Sequence, residues 1–182
     1  MDTSQKIIEA SIKVFTKYGY LGGTTKEIAL TANVSEMTLF RKFQSKQNLF
    51  NKMIESTLGR ELSGVTEIDL SLSLRELIKE LLHSRLMVIS SSIDLVRMII
   101  QESILGRIPL ELDYVTQISR NLKNTLKKYQ DKHVKTSKVY LDSVISGLLL
   151  NYAIMTPDIK YNYLSDIEQK KYLNNLITQI NI

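Results

Sequence analysis

The chain has 182 residues, of which 43% are apolar, with only 7 glycines and 2 prolines, and this is the composition of an ordered globular protein rich in helix formers. It contains no cysteine, which excludes disulfides, thiolate nucleophiles and cysteine-based zinc sites. The net charge is +5, and residues 1–60 carry 9 Lys and Arg against 5 Asp and Glu, which favours an anionic partner for the N-terminal third.

The length suits one compact body with a small additional domain. No unbroken apolar run approaches the roughly 18 residues of a membrane span, and the N-terminal stretch MDTSQK is polar. We therefore expect neither a membrane anchor nor a signal peptide, and a cytoplasmic location.

The first predicted helix starts near residue 3, where apolar residues recur every three or four positions with lysines between them. Gly19 is expected to end this helix. Thr24 and Glu27 form a capping-box pattern that opens a short second helix, KEIALTA. Asn33, which tolerates a left-handed backbone conformation, follows that helix.

Two serines mark the starts of the next two helices. Ser35 is placed to cap a third helix over residues 36–43, and Ser45 a fourth over about residues 46–61. Two short helices separated by about three residues form a helix-turn-helix, so the second and third helices predict this motif.

The third predicted helix has an apolar face and a mixed face. Leu39 and Phe43 are four positions apart and share one side. We expect them to pack against three residues of the second helix, Ile28, Ala29 and Ala32. The side chains left for the surface are Met37, Thr38, Phe40 and Arg41. An exposed methionine and phenylalanine require a reason, and contact with a DNA groove provides one.

The blocks IIEASIKVFTKYGY, TTKEIALTANVS, TLFRKF and SKQNLF lie within residues 7–50 and resemble the TetR family of transcriptional regulators. The resemblance implies an all-α fold of about nine helices, with a three-helix DNA-binding head and a larger helical body that binds a ligand and forms a homodimer. We assign residues 1–50 to the head and residues 51–182 to the body, with the fourth helix linking the two. We expect no cofactor and no enzymatic activity.

Carried over position by position, the resemblance implies that six side chains face DNA: Thr25, Ser35, Thr38, Phe40, Arg41 and Lys46. Thr25 and Lys46 lie at predicted helix N-termini, where free backbone amides favour a phosphate. Thr38 and Arg41 can reach base edges or the DNA backbone from a helix in the major groove.

Two positions depart from the family pattern. Phe40 stands where the family commonly has tyrosine, so a hydroxyl that would bond a phosphate is missing. Met37 stands where a small residue is common. We hypothesise that Met37 touches a thymine methyl group, because that group is read by apolar contact. For both residues, packing on the first helix is the alternative.

Five longer helices are predicted at residues 72–90, 94–105, 110–130, 138–155 and 165–180. In the first of them, Arg85 falls at the centre of the apolar face, and a buried guanidinium requires an anionic or carbonyl partner. Three alternatives stay open: an internal carboxylate such as Glu111, the acidic head of a ligand, or snorkelling of the side chain to water.

The weakly charged helices of the body favour a lipophilic effector. The candidate ligand-binding residues are Arg85, Met98, Tyr114 and Tyr152. Tyrosines on an amphipathic face are also ordinary core residues, and that alternative stays open. His83 and His133 are far apart in the sequence, so we expect no metal site and a solvated face for each.

The last two predicted helices resemble the two-helix dimerisation surface of the family. Helix 138–155 is apolar around most of its circumference and needs cover on more than one side, and Gly147 would allow close backbone approach there. Helix 165–180 carries an apolar stripe of Leu173, Leu176, Ile177 and Ile180. Burial within one subunit is the alternative for both helices.

These observations favour a homodimeric, ligand-responsive repressor that is released from a pseudopalindromic operator by a small molecule. Activation in place of repression stays open, because its sign depends on the position of the operator. An enzyme is a second class, but no HExxH, GxGxxG or Walker motif supports it. A helical small-molecule-binding protein with non-specific DNA binding is a further alternative.

Overall fold

The computed structural model describes residues 2–63, 69, 71–109, 112–133, 141–155 and 158–180. These residues form α-helices joined by turns, with no strand among them, so the prediction of an all-α fold is confirmed. None of the helices in these ranges has the length and apolar character needed to cross a membrane.

Nine α-helices occur in the described part of the chain. In chain order they are α1 (Thr3–Gly22), α2 (Thr25–Thr31), α3 (Glu36–Phe43), α4 (Lys46–Ser63), α5 (Leu74–Ser91), α6 (Ile93–Ile104), α7 (Tyr114–Lys132), α8 (Leu141–Ile154) and α9 (Asp166–Ile180). A short 3-10 turn at Tyr161–Tyr163 precedes α9.

The helices form two compact units. The first unit comprises residues 1–59 and 94–115, and the second comprises residues 60–93 and 116–182. The first unit therefore contains α1 to α3, α4 as far as Gly59, and nearly all of α6. The division into a head and a body at residue 50 stays a prediction.

Side-chain caps fix the starts of α1 and α2. Asp2 accepts a hydrogen bond from the amide of Ser4 at 3.2 Å, and the Thr24 hydroxyl accepts one from the amide of Glu27 at 3.1 Å. Each cap satisfies an amide that has no partner within its own helix. The predicted start of the second helix is confirmed to within one residue.

Positive φ angles mark the turns that separate these helices. Gly19 has φ 71° and ψ 176°, so the helix is interrupted at the predicted residue, but α1 resumes after this kink and ends at Gly22. Asn33 has φ 54°, which confirms its predicted left-handed conformation. Gln44 ends α3 with φ 65°, a conformation that the sequence did not indicate.

The core of the first unit is apolar and aromatic. Ile28, Leu39 and Phe43 are buried, which confirms the predicted packing of the helix-turn-helix. The Phe50 ring lies edge-on to the rings of Phe15 and Tyr20, with centroids 5.2 and 4.9 Å away. Such aromatic pairs add to the stabilisation from apolar burial, so α1 and α4 are held together firmly.

The second unit is built around α5, which packs against α8, α9 and the turn before α9. Ser73 and Glu76 form a complete capping box at the start of α5. The Gln169 side-chain amide donates to the carbonyls of Tyr161 and Leu164 at 3.2 and 3.1 Å. These bonds satisfy backbone groups of the turn, so α9 and the turn form one packed piece.

The stripe predicted on the last helix belongs to the core of this unit. Leu173 and Ile177 are buried, and Leu176 and Ile180 are half-buried. Leu173 and Ile177 therefore pack within one subunit, and a role of α9 in dimerisation stays a prediction.

One predicted helix start is wrong by four residues, because α7 begins at Tyr114 and not at residue 110. The amide of Leu112 donates to the carbonyl of Pro109 at 2.7 Å, and Leu112 and Asp113 lie outside the α-helix. A single apolar pattern in the sequence runs across these residues into the helix, and this explains the error.

Candidate functional site

The start of α3 holds Thr38 in a defined position. The Ser35 hydroxyl accepts the amide hydrogen of Thr38 at 3.1 Å, and the two hydroxyls lie 2.9 Å apart. Ser35 is therefore both the helix cap and a fixed polar neighbour of Thr38. The two side chains stand together on the exposed first turn of α3.

The remaining positions of α3 divide as their spacing predicts. Met37 is 81% exposed and Phe40 is 42% exposed, while Leu39 is fully buried. Arg41 lies on the exposed side as well. Packing on the first helix, the alternative for Met37 and Phe40, is wrong for Met37, whose side chain is mostly in solvent.

Thr25 is bonded to another residue of the same surface. Its hydroxyl donates to the carboxylate of Glu36 at 2.6 Å, which joins the first residue of α2 to the first residue of α3. The backbone amide of Thr25 still belongs to the open first turn of α2, where amides lack intrahelical partners. Glu36 was not singled out from the sequence, although it stands next to the cap Ser35.

Basic side chains lie at the other end of α3. Lys42 donates to the Ser4 hydroxyl at 3.0 Å and so links α3 to the beginning of α1. Arg41 and Lys42 occupy the last turn of the helix, where a positive charge is favoured by the helix dipole.

Lys46 begins α4 and lies under the end of α1. Its ammonium donates to the carbonyl of Leu21 at 3.3 Å and lies 4.7 Å from the centroid of the Tyr20 ring. Partial burial lowers the pKa of Lys46, and the Glu102 carboxylate acts in the opposite direction. The sequence predicted the position of Lys46 on a helix N-terminus, but not these contacts.

Glu102 is a buried acid in α6 of the same unit and is 5% exposed. Its carboxylate accepts the amide hydrogen of Tyr20 at 3.0 Å and faces the guanidinium of Arg107 at 3.7 Å. Sequence reasoning missed this residue. The available signal was the position of Glu102 three and four residues after Ile99 and Met98, on the apolar face of α6, where a buried acid requires a partner.

Two of the four candidate ligand-binding residues lie in the first unit. Met98 is buried and lines a polar cavity of about 430 Å³ next to Tyr18 and Gln101. The Tyr114 hydroxyl donates to the Asn51 side chain at 2.6 Å, and burial raises the pKa of Tyr114 to about 12. Tyr114 therefore remains a neutral hydrogen-bond donor at physiological pH.

The other two candidates lie in the second unit. Arg85 is 2% exposed and donates to the carbonyl of Leu81 at 3.3 Å, so the snorkelling alternative is wrong. Glu111, the proposed internal carboxylate, lies outside the described residues. The Tyr152 hydroxyl accepts the amide hydrogen of Tyr161 at 2.7 Å, which gives it a structural role.

The two histidines each contact a tyrosine. His83 is exposed, as predicted, and its Nδ1 lies 2.8 Å from the Tyr161 hydroxyl. His133 is half-buried and stacks on the Tyr129 ring at 4.3 Å, so it is only partly solvated. Within the described ranges, no three His, Cys, Asp or Glu residues are grouped as metal ligands.

An apolar stripe of α8 is open to solvent. The exposed apolar side chains at this helix are Val144, Leu150, Ile154 and Met155. A Cβ built on Gly147 would meet no heavy atom within 4 Å. The opposite side of α8 is buried, so this helix presents apolar side chains in both directions, as its sequence predicts.

Comparison with known proteins identifies similar sequences and folds. The model of a family described as bacterial regulatory proteins, tetR family, matches residues 7–53. The HTH-type transcriptional regulator YvkB of Bacillus subtilis, itself uncharacterised, is 42% identical over 81 residues, which cover 44% of this chain and 40% of that protein. This curated relative is therefore matched over less than half of its length.

Solved structures resemble the chain over nearly its whole length. The TetR-family transcriptional regulator PfmR of Thermus thermophilus has a TM-score of 0.67 at 16% identity, over 97% of this chain and 96% of that one. A Clostridium perfringens protein, provisionally described as a fatty acid metabolism regulator, has a TM-score of 0.58 at 25% identity, over 96% and 94%. The first of these likenesses concerns the fold alone.

Proposed function

Because the chain belongs to the TetR family of bacterial regulatory proteins, we propose that it is a homodimeric repressor that a small molecule releases from operator DNA. Two heads bind successive major grooves of a pseudopalindromic operator in the cytoplasm. The observation that carries this proposal is the surface of α3, where Met37, Phe40 and Arg41 are exposed beside the capped Thr38.

The proposed division of labour on the DNA follows from side-chain chemistry. Thr38, Arg41 and Met37 face base edges, and Met37 meets a thymine methyl group. Thr25, Ser35 and the start of α4 position the head on phosphates, where helix amides and a lysine favour an anion. Phe40 packs on the sugar-phosphate backbone without the hydrogen bond that a tyrosine would add.

The proposed dimer forms through the exposed stripe of α8. The side chains of Val144, Leu150 and Ile154 expose apolar surface to water, which is unfavourable. Dimerisation about a twofold axis would bury this stripe of one subunit against the same stripe of the other. The open space beside Gly147 lets two helices approach closely. The α9 stripe contributes less than its sequence indicated, since Leu173 and Ile177 already lie in the core of their own unit.

The proposed effector is lipophilic, and the likeness to the Clostridium perfringens fatty acid metabolism regulator supports this class. In this proposal, the buried guanidinium of Arg85 meets the acidic head of the effector. Ligand binding must favour the DNA-free state, because only a difference in affinity between two states shifts their populations. Arg85→Met should abolish release of DNA by a lipophilic acid while leaving DNA affinity unchanged.

The alternatives have less support. The matching family is one of regulators and not of enzymes, so the enzymatic alternative is rejected. Non-specific DNA binding remains the second candidate, because a basic N-terminal third binds any DNA at low salt.

Selection from a random-sequence duplex pool tests the proposed function. Rounds of binding at about 150 mM salt should enrich a pseudopalindrome, because non-specific binding weakens there. Thr38→Ala should weaken binding to the selected duplex by about tenfold, since a direct base contact contributes about 1–3 kcal/mol. Thr31→Ala, an exposed threonine of α2 outside the proposed surface, is the matched control.

A pool that stays random through all rounds, or equal losses for Thr38→Ala and Thr31→Ala, would reject sequence-specific recognition by α3. The first of these outcomes would favour the non-specific alternative.

A further inference from the structure

The charged group of Lys46 is bound to the protein's own backbone. Its ammonium donates to the Leu21 carbonyl at 3.3 Å and lies over the Tyr20 ring at 4.7 Å. Both contacts belong to the turn that ends α1. A phosphate contact by Lys46 therefore requires the ammonium to leave this turn or to share its donors.

Glu102 binds the same turn through a second contact. Its carboxylate accepts the Tyr20 amide hydrogen at 3.0 Å and is nearly enclosed by protein. Gly19 makes room for it, because a Cβ at this position would lie 2.8 Å from the carboxylate. Thus the amide of Tyr20 is bound by the buried carboxylate of Glu102, and the carbonyl of Leu21 is bound by the ammonium of Lys46.

Glu102 and Lys46 thus bind adjacent residues of one turn, Tyr20 and Leu21. Glu102 favours the charged form of Lys46 and opposes the effect of its partial burial on its pKa. The guanidinium of Arg107 faces the same carboxylate at 3.7 Å. Charges that are partly buried are screened less by water and salt than exposed ones, so the Glu102 carboxylate and a DNA phosphate would both attract the Lys46 ammonium.

We propose that Glu102 is a positioning residue for DNA binding, whose carboxylate holds Lys46 against the turn of α1 and restricts its contact with a DNA phosphate. The inference rests on the proposed function. It makes α6 a determinant of DNA affinity through one named side chain of the same unit, with no contact between Glu102 and DNA.

The isosteric variant Glu102→Gln separates charge from structure. A glutamine oxygen still accepts the Tyr20 amide hydrogen, so the turn keeps its bond, while the negative charge that faces Arg107 and favours the charged form of Lys46 is removed. We expect the variant to bind the selected duplex about two to five times more tightly, the range for a partly exposed charge pair. Because one more phosphate is engaged, its salt dependence steepens by up to about 0.9 in log K against log salt.

A double-mutant cycle tests whether Glu102 acts through Lys46. Lys46→Met keeps an unbranched apolar side chain of similar shape and removes the charge. In that background, Glu102→Gln should leave both the dissociation constant and the salt slope unchanged. Glu55→Gln, an exposed acid of the same unit, is the control for loss of a negative charge and should have equal effects in both backgrounds.

The outcomes separate this inference from the proposed function. An equal gain from Glu102→Gln with and without Lys46, or a loss of affinity in the Lys46 background, would overturn the positioning role while DNA binding stands. A wild-type chain that selects no duplex would reject the proposed function and this inference together. Thermal melting by circular dichroism confirms that each variant is folded before its binding is compared.

Discussion

Two glycines with the same backbone conformation offer a sharp test of the Glu102 contact. Gly19 has φ 71° and ψ 176°, and Gly59 has φ 66° and ψ −178°. An alanine in this region is strained at either position, at a cost of about 1–3 kcal/mol. The surroundings differ, since a Cβ at Gly19 would lie 2.8 Å from Glu102, whereas one at Gly59 would meet nothing within 4 Å.

The expected difference follows from the displaced carboxylate. If Glu102 moves away from the new Cβ, the buried amide of Tyr20 loses its acceptor, at a cost of about 1–3 kcal/mol. Gly19→Ala should therefore destabilise the protein by about 1–3 kcal/mol more than Gly59→Ala. In a Glu102→Ala background this excess should disappear, because the contact is already absent.

Urea unfolding followed by circular dichroism measures both variants. Protein concentration must be equal throughout, since the proposed dimerisation would make the apparent free energy of unfolding depend on it. Equal free energies of unfolding for Gly19→Ala and Gly59→Ala would refute the reasoning. An excess that persists without Glu102 would show that the strain at Gly19 has another origin.

Three further predictions concern DNA recognition, assembly and pH. Replacing thymine by uracil at one position of the selected duplex should weaken wild-type binding about fourfold, which is the value of one buried methyl group. The same replacement should not change binding by Met37→Ala, and equal losses for the two proteins would reject the methyl contact. Val144→Lys should raise the dimer dissociation constant at least about tenfold in sedimentation equilibrium. Leu30→Lys, which changes an exposed leucine of α2, should leave this constant unchanged. An unchanged constant for Val144→Lys would show that α8 is not part of the interface. The hydrogen bond from Ser73 lowers the pKa of Glu76 below its ordinary 4.5. The stabilisation that this bond gives the folded protein is therefore complete above pH 4.5 and is lost as the pH falls through the lowered pKa. The urea midpoint of the wild type should fall as the pH drops below 4.5, and that of Ser73→Ala should fall less steeply. An identical pH dependence of the two midpoints would contradict the predicted direction.

The sequence predicted the helix-turn-helix well because its signals are local. The caps Thr24 and Ser35 each act on an amide three residues ahead, and Leu39 and Phe43 are separated by one helical turn. Such relations are visible in a short stretch of sequence. The buried and exposed sides of α3 followed from them directly.

The contacts that were missed join residues far apart in the chain. The bond between Glu102 and the Tyr20 amide spans 82 positions, and the bond between Lys46 and the Leu21 carbonyl spans 25. No periodicity encodes such a pair, because it depends on how whole helices pack. Arg85 is an intermediate case, since its burial followed from its helix face but its partner did not.

In the proposed complex with DNA, the abrupt end of α3 limits what one head can read. Eight residues make a helix about 12 Å long, the width of one major groove, and Gln44 turns the chain away at once. A single head then contacts only a few base pairs, and so short a DNA sequence recurs by chance throughout a genome. In the proposed dimer, two half-sites must occur together at a fixed spacing, which makes the complete site rare. The genes that the protein would regulate therefore depend on the α8 contact as much as on α3.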